Sequence, residues 1–282
     1  MGRETNTIIT ATVATDLAEI VADRMWQWGV QAVGTTELDA GVVRVFTSVG
    51  DDPKAVARAL ATLDDQWNVT VEDVEPEINA VPAEYLSPTW YRPNHVCVPA
   101  ALMPIAVDDD VVVTVIDQGA AFGLGDHPTT SSTMALMVSL FADDESDSRP
   151  PASLLDVGCG TGALAILAAQ YGVPTIRAID IADAAVESTR RNMALNDVVG
   201  RIEVDTTPVG ELDGSYDVIV ANILAPTLIS MADDLQRLLA SDGVLIISGI
   251  LVDRHEHVLD ALRPLATVRS RAEGEWVAIM LR

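Results

Sequence analysis

Residues 154–168 read Leu154-Leu155-Asp156-Val157-Gly158-Cys159-Gly160-Thr161-Gly162-Ala163-Leu164-Ala165-Ile166-Leu167-Ala168. Few folds accommodate that run. It reads as a buried strand, a glycine turn and an apolar helix. Alternating glycines let the backbone pass close to a ligand and expose amide groups at a helix N-terminus. Dinucleotides and S-adenosyl-L-methionine (AdoMet) are the two cofactor classes held by such a turn.

Spacing alone does not separate them, because Gly158, Gly160 and Ala163 also satisfy the dinucleotide pattern with alanine in third place. Charge separates them better. Asp156 lies two residues before the first glycine, and no Lys or Arg falls between it and Tyr171. An anion there repels a pyrophosphate and attracts the ammonium and sulfonium of AdoMet, which has no phosphate. A second acid, Asp180, ends the next apolar strand, expected over residues 176–181. Its two oxygens can accept both ribose hydroxyls. The plainer alternative is a strand-to-helix turn with two surface acids.

The chain has 282 residues, enough for one large domain or two smaller ones. Its 42 acids against 17 bases leave a net charge of −25, which argues against a direct nucleic-acid partner, because phosphate contact needs clustered bases. A cationic protein is electrostatically welcome, and acidity of the whole surface as a solubility or salt adaptation is an equal alternative. Cys97 and Cys159 are the two cysteines. Neither has metal-ligand spacing nor a place in a disulfide framework; both read as small packing residues suited to a reducing cytoplasm. No metal is expected. Residues 1–15 lack the pattern of a signal peptide, and no apolar run reaches the ~18 residues of a membrane span.

Strands are expected over residues 7–13, 31–37, 42–47 and 68–74. Helices are expected over 16–28, opened by Asp16, and over 51–63, with Pro53 in the first turn. The order strand, helix, strand, strand, helix, strand is that of a split βαβ, ferredoxin-like α+β domain over residues 1–75. It holds no catalytic cluster and reads as a binding module. Residues 76–93 read as a proline-spaced linker carrying Trp90, Tyr91 and Arg92. The catalytic domain then spans 94–282, opening with strands 95–99 and 111–116 paired as a hairpin.

Residues 117–130 form a second glycine-rich stretch, with Gly119, Gly123 and Gly125 bracketing Phe122. Asp126 is placed to cap, and Pro128 to start, a helix reaching residue 142. Thr129 and Thr130 lie in its first turn, able to bond a ligand carboxylate. His127 permits a base role, but a lone loop histidine is more often solvated or capping. Residues 182–195 are a helix and 201–204 a strand, followed by a segment, 205–209, expected on the adenine side of a bound nucleoside. Residues 216–222 are a near-continuous apolar strand, hence central and parallel. Asn222 ends it, where open α/β sheets bind ligands, and its amide oxygen can accept from a substrate amine. A helix over 226–240, a turn at Asp242-Gly243, a strand over 244–248, a helix over 252–265 and a final strand pair complete a doubly wound, Rossmann-like sheet of the class I AdoMet-methyltransferase kind.

Three stretches together resemble the PrmA family, the methyltransferases of large-subunit ribosomal protein eleven. They are residues 121–130 (Phe122-Gly123-Leu124-Gly125-Asp126-His127-Pro128-Thr129-Thr130 within it), 155–162 and 220–225 (Val220-Ala221-Asn222-Ile223-Leu224-Ala225). Ser248-Gly249-Ile250-Leu251 and Glu273-Gly274-Glu275-Trp276-Val277 add to it. The resemblance is close over residues 111–282 and one of plan before them. It implies AdoMet held by Thr130, Gly158, Asp180 and Asn222, with Phe122, Asp156 and Gly160 beside them. It also implies that the N-terminal domain grips the ribosomal protein, and that lysine side-chain and N-terminal amines are methylated. Gln118 and Leu124 depart from the family's usual Pro and Thr. Leu124 removes a hydroxyl near the methyl donor.

The expected chemistry is direct transfer to a neutral amine aimed by Asn222, with no dedicated base. The oligomeric state is open, with a monomer favoured. Rivals are a methyltransferase of another protein or small molecule on the same scaffold, a non-catalytic ribosome-associated binding module, and a dinucleotide oxidoreductase, which Asp156 opposes.

Overall fold

The structure is a computed structural model. It describes residues 6–26, 28, 30, 33–39, 41–49, 53–63, 67–74, 86–117, 125, 127–142 and 151–282. The chain forms two compact units, Met1–Ala80 and Val81–Arg282.

The first unit runs β1 (Asn6–Ala14), α1 (Ala18–Trp26), β2 (Val33–Asp39), β3 (Val42–Ser48), α2 (Pro53–Leu60) and β4 (Asn68–Val74). Its sheet order is β2-β3-β1-β4, antiparallel throughout, as a split βαβ requires. Alternation drives the packing. Ile9, Ala11 and Val13 on β1 and Val43 and Val45 on β3 are buried, as are Val21, Ala22 and Met25 on α1. The chain enters α1 through a 3-10 turn, Thr15–Leu17, that contains Asp16.

The second unit opens with a three-stranded sheet, β5 (Thr89–Arg92), β6 (His95–Pro99) and β7 (Val112–Ile116), in that order. This corrects two expectations. The stretch expected to be linker through residue 93 ends in a strand. The hairpin partner of β6 is β5, whereas β7 lies parallel to β6. The twelve residues between Pro99 and Val112 are long enough for a parallel return, which a hairpin turn is not. Alternation along β5 buries Tyr91 and leaves Trp90 half exposed.

The free edge of β7 is closed by side-chain amides. Gln170 Nε2 donates to the Val113 carbonyl at 2.8 Å, Asn196 Oδ1 accepts from Val115 N at 2.8 Å, and Asn192 Oδ1 accepts from Asp117 N at 2.8 Å. These groups substitute for a missing fourth strand, satisfying backbone that is otherwise desolvated.

The main sheet contains β8 (Ser153–Val157), β9 (Thr175–Ile179), β10 (Ile202–Asp205), β11 (Tyr216–Asn222), β12 (Leu239–Leu251), β13 (Thr267–Glu273) and β14 (Trp276–Leu281). The order is β10-β9-β8-β11-β12-β14-β13. The first five are parallel, and β14 inserts antiparallel between β12 and β13. Both faces are covered. Leu154, Val218, Val220 and Ile246 share one core with residues of α3 (Pro128–Phe141), α4 (Ala163–Gln170) and α5 (Asp183–Leu195). Leu155, Ile219, Leu245 and Ile247 share the other with α6 (Ala225–Ser230), α7 (Ala232–Leu238) and α8 (His255–Ala261). Two-sided burial is why these strands read as continuous apolar runs.

Two boundaries differ from expectation. The helix expected over 226–240 breaks at Met231, where ψ is near 2°, into α6 and α7. Leu228, Ala232 and Leu235 keep helical spacing across the break, so apolar periodicity does not register it. β12 begins at Leu239, and the expected Asp242-Gly243 turn is absorbed in a register shift against β11 between Tyr216 and Val218. Among the described residues, no helix is long and apolar enough to cross a membrane.

Candidate active site

The strand order reverses at β8: β9 lies on one side of it and β11 on the other. Open α/β sheets bind ligands in the crevice at the carboxyl ends of the strands at such a reversal. Most residues singled out from the sequence converge there.

Asp156 sits on β8, one residue from its end, and is fully buried. One carboxylate oxygen accepts from Ala165 N in the first turn of α4 at 3.1 Å. The other, Oδ1, is buried with no partner. Burial pushes this carboxyl up to about 7, and the nearby Asp180 charge adds to the rise. An unsatisfied buried acceptor is costly and persists where a ligand completes it.

The glycine turn follows. Gly158, Gly160 and Gly162 all have positive φ, at 72°, 53° and 80°. A Cβ on Gly158 would stand 2.5 Å from Ile223 Cγ2, so the turn is pressed against the end of β11. Gly158 N and Cys159 N both donate to the Ile179 carbonyl, at 2.9 and 3.0 Å, tying the turn to β9. Asp180 begins where β9 ends. Its Oδ2 accepts from Gly160 N at 3.0 Å and its Oδ1 from Ala182 N at 3.0 Å. Burial raises its pKa, and the Ala182 and Gly160 amides work against that rise. Asp156, the turn and Asp180 thus form one acid-flanked loop at the carboxyl ends of β8 and β9. The thiol of Cys159 within it is pushed well up by burial and by the two acids, which suits packing and not nucleophilic attack.

Asn222 closes β11. Its Nδ2 donates to Thr130 Oγ1 at 3.3 Å, and its Oδ1 is buried without a partner. Thr130 is fully buried in the first turn of α3. The N-cap of α3 is His127, whose Nδ1 accepts from Thr129 N at 3.3 Å. Its ring also meets Trp276 edge-on, at 5.3 Å between centroids. Phe122, Gln118, Leu124 and Asp126 lie outside the described residues. The segment after β10 is committed to local structure: the Asp205 carboxylate accepts from Thr207 N and pairs with Arg177 at 2.9 Å.

Sequence reasoning missed two supports. Gly249 has a φ of 82°, and a Cβ there would lie 2.5 Å from the Ile223 carbonyl oxygen. Gly249→Ala is therefore expected to lose roughly 1–3 kcal/mol in denaturant unfolding, and to lower turnover by shifting the backbone beside Asn222. Glu273 Oε2 accepts from both Ser131 Oγ and Ser132 Oγ at 3.2 Å, fastening α3 to the β13–β14 hairpin. Only the glycine was visible as a signal, in the Ser248-Gly249 pair.

Among the described residues, no group of three or more His, Cys, Asp or Glu is placed to hold a metal ion. A doubly wound sheet with an antiparallel strand inserted near one edge, and an acid-lined glycine turn at its switch point, defines the class I methyltransferase scaffold. The profile described as "Ribosomal protein L11 methyltransferase (PrmA)" matches residues 8–282, and the chain belongs to that family. A ribosomal protein L11 methyltransferase of Pelobacter propionicus is 33% identical over 97% of this chain and 96% of its own length. One from Geotalea daltonii is 36% identical over 73% of this chain and 70% of its own. The crystal structure of a ribosomal protein L11 methylase from Lactobacillus delbrueckii subsp. bulgaricus matches at a TM-score of 0.62 and 29% identity, covering 69% of this chain and 97% of that one.

Proposed function

We propose that the chain transfers methyl groups from AdoMet to lysine side-chain and N-terminal amines of ribosomal protein L11. One observation carries the reading of the site. Asp156 Oδ1 and Asn222 Oδ1 are buried acceptors without partners, at the carboxyl ends of the adjacent strands β8 and β11. A ligand bearing an ammonium and a substrate bearing an amine supply the missing donors. The residues present therefore fit AdoMet: Asp156 for its cationic end, the Gly158–Gly160 backbone for close approach, Asp180 for ribose hydroxyls, and Thr130 with Asn222 for the amino-acid part. Phe122 is proposed to cover it.

AdoMet supplies, when bound, a methyl activated by a sulfonium. The chain's part is to hold the amine neutral and aimed. A free lysine has a pKa of ~10.4 and is charged at neutral pH. An apolar slot lowers that value by disfavouring the charge. The Asn222 oxygen then accepts an N–H and directs the lone pair, with the Ile223 and Leu224 carbonyls beside it. Positioning of this kind supplies much of a rate without a dedicated base. His127 serves as a helix cap. His127→Asn keeps a capping side chain and is expected to leave turnover within a few-fold, with an unshifted pH profile.

Residues 1–75 are proposed as the substrate-gripping module, the stretch from 76 up to β5 as the connection and the chain from β5 onward as the catalytic part, working as a monomer in the cytoplasm without contacting nucleic acid. The net charge of −25 suits a basic protein substrate. The test is mass spectrometry of unmethylated ribosomal protein L11 incubated with the chain and AdoMet. Methyl-step mass gains on lysines or the N-terminal amine support the proposal. No gain alongside AdoMet binding by calorimetry moves the substrate elsewhere.

A further inference from the structure

Glycines make the cofactor turn possible and also make it soft, since glycine gains conformational freedom in the unfolded or unligated chain that other residues lack. Something must hold the turn. The structure gives that work to one face of α5. Thr189 Oγ1 donates to the Gly160 carbonyl at 3.0 Å and lies 3.4 Å from Cys159 Sγ. One helical turn on, Asn192 Nδ2 donates to the Thr161 carbonyl at 2.9 Å. Both side chains are fully buried. A Cβ on Gly162 would stand 2.7 Å from Thr189 Cγ2, so helix and turn are in direct contact.

A peptide unit is planar, so anchoring its carbonyl also fixes the direction of the following N–H. Thr189 sets the plane of the 160–161 peptide and Asn192 that of the 161–162 peptide. These two planes join two of the positive-φ glycines, Gly160 and Gly162, through Thr161. Asn192 uses its oxygen as well, accepting from Asp117 N at 2.8 Å, which leaves its amide only one orientation.

We infer that Thr189 and Asn192 are positioning residues for AdoMet: they hold two peptide planes of the glycine turn in the binding geometry before the cofactor arrives. The inference rests on the proposed function. Its physical content is preorganisation: a turn already ordered spends less of the binding free energy on ordering. No chemistry passes through either side chain, so their loss weakens cofactor binding and spares the rate once the site is filled.

The test is AdoMet affinity by calorimetry, with kcat and KM measured on ribosomal protein L11. Thr189→Val removes the hydroxyl and keeps the shape; Asn192→Leu removes the amide's bonds to Thr161 and to Asp117. Each is expected to raise the Kd for AdoMet about tenfold, the order of one lost buried hydrogen bond. The kcat at saturating AdoMet stays within about twofold. Thr189→Ser restores the hydroxyl and is expected to restore affinity. Asn196→Leu is the control. Asn196 holds β7 through Val115 as Asn192 does through Asp117, but its bonds do not reach the turn. It is expected to lower Tm and leave the AdoMet Kd unchanged. Unchanged affinity in Thr189→Val, or an equal rise in Asn196→Leu or Thr189→Ser, overturns the inference. Wild-type chain that binds no AdoMet overturns the proposed function itself, and the inference with it.

Discussion

Asn222→Ala is expected to lower kcat by about 100-fold or more while changing the AdoMet Kd only a few-fold, because misplacing a reacting group costs rate far more than it costs binding. The Asn222 amide is oriented from one side only. Thr130 Oγ1 accepts from its Nδ2 at 3.3 Å, and its Oδ1 is buried without a hydrogen-bond partner. Truncation removes the acceptor that aims the amine. On the proposed reading AdoMet loses one of its contacts and would keep Thr130, the glycine turn, Asp156 and Asp180. Asn222→Asp makes the complementary test. It retains an acceptor but adds a negative charge, which favours the ammonium form of the substrate and raises the amine's pKa. Its rate profile is expected to move to higher pH. Equal losses of affinity and turnover in Asn222→Ala would defeat the aiming role.

Asp156→Asn is expected to stabilise the unliganded chain at alkaline pH and to weaken AdoMet binding at least tenfold. Burial lifts this carboxyl from 3.8 to about 7. Between those values the native chain holds a proton that the unfolded chain has released. Stability from this group is therefore greatest at acid pH and falls as pH rises toward and through 7. The amide does not titrate, so its advantage over wild type appears at pH 8, on the order of 1–4 kcal/mol, and vanishes near pH 4. The replacement is conservative in shape, since an amide oxygen still accepts from Ala165 N. Its nitrogen then occupies the position of the unpartnered oxygen and presents a donor to a cationic ligand. In the wild type, a cation brought to Asp156 favours the carboxylate, so AdoMet binding near pH 7 is expected to release a proton. Calorimetry in buffers of different ionisation enthalpy reads that release directly. Unchanged affinity and proton release in Asp156→Asn would remove Asp156 from the cofactor site.

These two side chains carry the same kind of cost. Each is a buried acceptor kept without a partner in the free protein, and each loses stability that a packed apolar residue would not lose. Proteins tolerate that at sites where a ligand completes the hydrogen bonds.

Much of the fold was legible because its signals are local. Alternation over residues 7–13 and 42–47 and apolar spacing in 17–25 specified the N-terminal strands and first helix, and the glycine run with Asp156 announced the switch point. The places of Asp180, just past β9, and of Asn222, the last residue of β11, were legible because apolar runs mark where those strands end, and open parallel sheets bind ligands at their carboxyl ends. Other features are not local. The parallel pairing of β6 with β7 and the break at Met231 depend on what packs against each segment.

The amino-acid sequence by itself determined the doubly wound class and the residue types at the carboxyl ends of β8, β9 and β11, because each follows from periodicity, charge and turn chemistry within a few residues; the family came from the resemblance of three motifs. Only the tertiary structure decided which acceptors are satisfied. Hydrogen bonds between Thr189 and Gly160, Asn192 and Thr161, and Asn222 and Thr130 span 29, 31 and 92 residues of chain. No local rule specifies such pairs; they arise when the two faces of the sheet close and every buried polar atom must find a donor or an acceptor, or wait for a ligand to bring one.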